Sequence, residues 1–206
     1  MKFITLRNSI LVLCASTAMV ALTGSAPAQN LDIAFGVNTI TAPSASEADS
    51  NHAAQSLTGG AYPVVSGDVL IFKNFGVGSE LAWKGGRGNY FPAGDNQPFR
   101  PLFYDFNAIW VPKLAKHTYA ELMGGIGAQS TRFYTPTQIC SQFSCINFVS
   151  SNHFMGHFGA GIRLYPVGHL FIRPEAHLYL VNNNLEFSSA RAVRYGMSIG
   201  YSFGGR

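Results

Sequence analysis

The chain has 206 residues and a formal net charge of +4, with charged side chains at 12%, aromatics at 13% and 22 glycines. Two of those charges, Lys2 and Arg7, fall in a leader expected to be removed, and the +2 that remains is too small a balance to point to nucleic acid as a partner. No stretch after that leader has eighteen uninterrupted apolar residues, which excludes a helical membrane protein.

The first element is a secretory signal over residues 1–28. Lys2 and Arg7 form a basic start, Ile10 to Leu22 is largely apolar, and Ser25-Ala26-Pro27-Ala28 supplies small residues for cleavage after Ala28. A buried N-terminal helix is the alternative. Leu13 stands before Cys14 where a lipoprotein has a small residue, and few apolar residues precede it, which argues against lipidation there. The remaining chain, 29–206, has the length of one domain.

Along the mature chain, apolar residues recur every second position. Leu31, Ile33, Phe35 and Val37 alternate with Asp32, Ala34, Gly36 and Asn38. Val65, Gly67 and Val69 oppose Ser66, Asp68 and Leu70, and Val77, Leu81 and Trp83 oppose Gly78, Glu80, Ala82 and Lys84. Tyr104, Phe106 and Trp110 oppose Asp105 and Asn107, and Leu122 and Ile126 oppose Glu121, Met123 and Gly125. Phe154, Phe158 and Ile162 oppose His153, His157 and Arg163. Ile172, Ala176 and Leu178 oppose Arg173, Glu175 and His177, and Tyr195, Met197 and Ile199 oppose Arg194, Gly196 and Ser198. Successive side chains of a strand point to opposite faces, so this pattern predicts about eight strands, each with one apolar face. Pro174 falls mid-strand, where it cannot donate a ladder hydrogen bond; it argues against this register, and a local bulge would accommodate it.

The connections alternate in length. Residues 41–62, 85–101, 129–152 and 182–189 are long and polar; 72–75, 112–117 and 165–169 are short. A meander that crosses a membrane has long external loops and short periplasmic turns, with both termini on the turn side. The loop at 129–152 holds Phe133, Tyr134, Phe143 and Phe148 and is the first place to look for an external ligand. Within it Cys140 and Cys145 bracket four residues, a pair that can form a disulfide in an oxidising compartment. No further Cys or His stands at metal-ligand spacing, and no cofactor motif is present.

Charge placement separates a barrel from a soluble sandwich. The polar faces carry acids and bases together, with glycines between them, as a narrow packed interior requires. Glu80, Asp105, Glu121, Arg163, Arg173, Glu175 and Arg194 are the residues expected to form an interior charge network, since an unpaired buried charge is very costly. Aromatics fall on the apolar faces near both strand ends: Trp83, Tyr104, Phe154 and Tyr195 at one, Trp110, Tyr201 and Phe203 at the other. Two such belts suit two membrane interfaces. The expected fold is an all-β, eight-stranded antiparallel up-and-down transmembrane β-barrel.

In this pattern the chain resembles the small outer-membrane barrels of the OmpA and OmpX type, and its last strand, Tyr195-Gly-Met-Ser-Ile-Gly-Tyr-Ser-Phe203, resembles the terminal signal read by barrel-assembly machinery. Two departures stand out: Gly204-Gly205-Arg206 follows the final aromatic, and Ser198 occupies the signal's usual glycine position. The resemblance implies a bacterial outer membrane, with its lipid and the assembly machinery as partners. The function expected is non-enzymatic: a charge-plugged barrel whose external loops serve surface interaction or envelope integrity. The alternatives are a lipid hydrolase or acyltransferase, with Ser150, Ser151, His153 and His157 near one strand end and Glu121 or Glu175 to orient a histidine, and a small porin-like pore. Ser151-Asn152-His153 does not match the His-x-Ser-Asn-like order of lipid-deacylase barrels.

Overall fold

The computed structural model describes residues 30–43, 53–91, 97–140 and 145–204. The expected signal at 1–28 lies outside the described residues. Ten strands run in chain order: β1 Asn30–Thr41, β2 Tyr62–Leu70, β3 Phe75–Trp83, β4 Gly88–Tyr90, β5 Gln97–Trp110, β6 Lys113–Ala115, β7 Thr118–Cys140, β8 Cys145–Val167, β9 Leu170–Val181 and β10 Arg191–Phe203.

Eight of them close into a ring, every neighbour antiparallel: β1-β2-β3-β5-β7-β8-β9-β10, with β10 returning to β1 from Leu31↔Phe203 to Thr41↔Val193. The short β4 and β6 only edge β5 and β7. Closure leaves no free sheet edge in the ring, which a strand in lipid requires because no water is there to satisfy its backbone.

The faces are inverted relative to a soluble protein. Phe35, Phe106 and Phe158 on the outside are 62%, 67% and 57% exposed, whereas Arg163, Arg173 and Arg194 inside are fully buried. The aromatics expected at the two levels are on the outside, with Trp110 stacked on Phe75 at 5.9 Å near the short turns. Phe154, Ala128, Tyr104 and Leu81 form one cross-strand row near the long loops.

Three sequence expectations change. Residues 129–140 and 145–152 are paired strands rather than a loop. Here β7 and β8 run 23 residues each and pair from Thr118↔Leu164 to Cys140↔Cys145, with a register shift after Tyr134. Thr131, Phe133, Tyr134, Ile146, Phe148 and Val149 are strand-forming residues that need no lipid-facing side to extend the pair. Lys84, expected on the charged face, lies past the end of β3, where its ammonium stands 5.0 Å from the centroid of Phe99. Burial pushes that ammonium below its usual value. Pro174 brings no register shift: Met197 pairs with it on one side, and on the other the ladder steps from Gly161↔Glu175 to Leu164↔Ile172 in constant register. The strand omits the hydrogen bonds that proline cannot make instead of bulging.

Candidate functional site

Alternate residues of all eight ring strands project inward and fill the barrel in layers. At the long-loop end Phe103 stacks on Tyr179 at 5.0 Å and contacts Tyr62 at 6.2 Å. Above them Phe99 and Phe187 lie 5.5 Å apart, and Tyr90 meets Phe133 edge-on at 5.0 Å. At the turn end Tyr165 packs against Tyr119 and Phe171, each at 5.5 Å.

Between these aromatic layers lie the charges. Arg163 donates to Asp32 and Glu121 and, at 2.7 Å, to Asp68. Arg173 donates to Glu175 at 2.6 Å, Glu121 at 2.8 Å and the Ser66 hydroxyl at 3.0 Å. Arg194 donates to Glu80 and lies 5.5 Å over the Tyr179 ring. Glu175 also accepts from Asn38 at 2.9 Å and Ser198 at 2.8 Å. Glu121 therefore bridges two guanidiniums, and Arg173, 3.9 Å from Glu80, connects that group to Arg194.

Asp105 is the cross-strand neighbour of Glu80 and meets the other six residues through two histidines, His177 lying 3.7 Å from Glu175. Asp105 accepts from Asn107 at 2.5 Å and lies 3.6 Å from Nδ1 of His157. His157 in turn contacts Asn107 at 2.7 Å and stacks on His177, their ring nitrogens 2.9 Å apart. Asp32 and Asp68 were readable only as members of a polar face; their union with Arg163 depends on how far the strands are staggered around the ring.

Glu80, Glu175 and His177 bring three potential ligand atoms within 4.8 Å of one another. Both carboxylates are already held by arginines, whose positive charge opposes a cation at that point.

Outside the charged interior two features remain. Cys140 and Cys145 are joined by a disulfide at the far end of the β7–β8 hairpin. On the hairpin, the Arg132 guanidinium lies 4.9 Å from the Phe148 centroid, and Arg87, between β3 and β4, lies 3.8 Å from that of Tyr134. Below it Ser151 donates to Glu186 and contacts Nε2 of His153 at 2.9 Å, and Oε2 of Glu186 is 2.8 Å from that same Nε2. Glu186, with burial as the larger cause, raises the Tyr90 phenol. Of the residues considered for hydrolysis, Ser150 is exposed on the hairpin, His157 is buried in the interior, and Glu121 and Glu175 are bound to arginines. Glu186 had no periodic signal to reveal it, since it lies in the connection between β9 and β10.

No protein-family model matches the sequence, and no curated protein matches it. Solved structures do match in fold. The chain is similar to the attachment invasion locus protein Ail of Yersinia pestis, in complex with the heparin analogue sucrose octasulfate, at 13% identity and a TM-score of 0.53, over 85% of this chain and 99% of that one. It is also similar to Neisserial surface protein A at 9% identity and a TM-score of 0.57, over 85% and 97% of the two chains. A major outer membrane protein from Thermus thermophilus gives 9% identity and a TM-score of 0.57, over 85% and 100%. The fold is thus an eight-stranded antiparallel up-and-down transmembrane β-barrel. Its architecture is that of the small barrels of bacterial outer membranes.

Proposed function

We propose that the protein is a non-enzymatic outer-membrane barrel, exported with cleavage after Ala28 and assembled through its terminal strand by the barrel-assembly machinery. Its long-loop end faces outward and binds an anionic surface molecule. The observation that carries this reading is the hairpin: two arginines, Arg87 and Arg132, are each held on an aromatic ring of a disulfide-closed β-ribbon, Tyr134 and Phe148. Among the described residues that end carries Lys84, Arg87, Arg100, Arg132 and Arg191 with Glu186, and the sequence of its connections adds Glu47, Asp49 and Asp95, so the positive charge of interest is the local pair Arg87 and Arg132. A cation fixed on a rigid scaffold loses little freedom when it meets a ligand. The polysulfated sugar seen with Ail has the chemistry such a surface suits.

Support for the non-enzymatic reading comes from His153. A relay needs the acid on one ring nitrogen and the hydroxyl on the other, yet Ser151 and Glu186 both meet Nε2. Chromatography of the detergent-solubilised protein on immobilised heparin is the test. Arg87→Gln with Arg132→Gln should elute at clearly lower salt than the parent. Equal elution, or a parent that does not bind, sinks the reading.

A further inference from the structure

The short-turn end of the barrel is basic. Among the described residues its turns carry Lys73, Lys113, Lys116, His117 and His169, and no carboxylate. Lys113, Lys116, His117 and His169 rim a cavity of about 450 Å³ whose lining includes Tyr119, Tyr165 and Ser202.

The cavity is built from tied parts. The His117 carbonyl accepts from the Tyr165 backbone at 2.9 Å, and the His169 carbonyl accepts from the Ser202 backbone at 3.0 Å, so both histidine-bearing turns are fastened to the wall. The Tyr165 and Ser202 hydroxyls bond each other at 3.0 Å in the floor. The Lys113 ammonium stands 5.8 Å from the Tyr119 centroid. Beneath the floor, Phe171 packs on Tyr165, and the Arg163 guanidinium lies 5.1 Å from the Phe171 ring. The interior acids nearest this end, Asp32 and Asp68, bond that guanidinium. Asp32 is the cross-strand partner of Ser202 and so lies next to the floor, where its carboxylate is bound to the Arg163 guanidinium.

We propose that this cavity binds a phosphate-type oxyanion, as a free phosphate ester or as the headgroup of a phospholipid. Two ammonium groups supply the charge, imidazole and hydroxyl groups supply directional donors, and among the described residues of the lining there is no carboxylate to compete. The site stands whichever way the barrel faces and is independent of the hairpin's ligand.

The test is calorimetric titration of the full protein, folded in a nonionic detergent, with glycerol phosphate and separately with short-chain dihexanoyl phosphatidylglycerol. Saturable binding of glycerol phosphate assigns the free ester, and binding of the short-chain lipid alone assigns the headgroup; either supports the site. Lys113→Gln with Lys116→Gln should weaken the binding about tenfold, while Lys73→Gln, on the turn outside the cavity, should leave it unchanged. Boiling-sensitive gel migration shows that each variant is folded. Saturation by neither probe, an unaffected double variant, or an equal loss in Lys73→Gln would overturn the proposal.

Discussion

Asp32 on β1 and Arg163 on β8 are 131 residues apart in the chain and form an ion pair in the middle of the barrel. The same guanidinium also holds Asp68 and Glu121, so one side chain ties β1, β2 and β7 to β8. Arg163→Met should therefore cost about 3–5 kcal/mol, because Asp32, Asp68 and Glu121 each lose a buried bond to this guanidinium at once, with Arg173 still on Glu121 and 3.6 Å from Asp68. Among the described residues Arg194 donates to Glu80 alone and its Nε and Nη1 find no hydrogen-bond partner, so Arg194→Met should cost less, about 1–3 kcal/mol. Urea unfolding in detergent, followed by tryptophan fluorescence, measures both, and the reverse ranking would contradict the network.

The disulfide acts elsewhere. β5 pairs with β7 only as far as Phe133, and β9 pairs with β8 only from Met155, so beyond them the hairpin's strand pairing is its own, with side-chain ties from Arg87 to Tyr134 and from Glu186 to Ser151 and His153. A bond between residues five apart restricts the unfolded hairpin by about 2 kcal/mol in the chain-entropy view. Cys140→Ser with Cys145→Ser should leave the urea midpoint of the barrel in place and speed proteolytic cleavage within the hairpin. A shifted midpoint with unchanged cleavage would place the bond's effect in the barrel.

How much of this could be read from the residues depends on what each feature rests on. Facing is a period-two property, so Phe106 and Asp105 declare their sides of the wall directly. Pairing across the interior is set by the stagger of the ring, and nothing local to Arg163 points to Asp32. The strand pairing of 129–140 with 145–152 was hidden for a different reason: Gln129 and Thr131 are buried inside, while Ser130, Arg132, Ser150 and Asn152 put polar groups on the outer face, and the apolar alternation is lost. The contact of Ser151 and His153 with Glu186 joins a strand to a connection, where periodicity carries no information.

Close approach of neighbouring strands gives a sharp contrast between two glycines. A Cβ on Gly127 would lie 2.0 Å from the Tyr104 carbonyl oxygen and 2.7 Å from the Asp105 Cα, both backbone atoms that cannot swing away. A Cβ on Gly67 would meet nothing within 4 Å. Gly127→Ala should lower stability by about 1–3 kcal/mol, and Gly67→Ala should be neutral or raise it by about 0.5 kcal/mol through the unfolded chain. Equal effects in the same urea assay would mean that the β5–β7 spacing is looser than described.

The filled interior also bears on the small-pore alternative. An ion entering from the long-loop end meets the stacked Phe103 and Tyr179, then the arginines with their carboxylates, then Tyr165 and Phe171. Moving past Arg163 requires breaking three charge-assisted bonds in a water-poor setting, which is far dearer than conduction tolerates. Planar bilayers carrying the protein should therefore show no discrete conductance steps. Regular steps from the parent protein would establish a water path beside the guanidiniums and favour the pore, because an ion cannot displace that network and let the barrel remain folded.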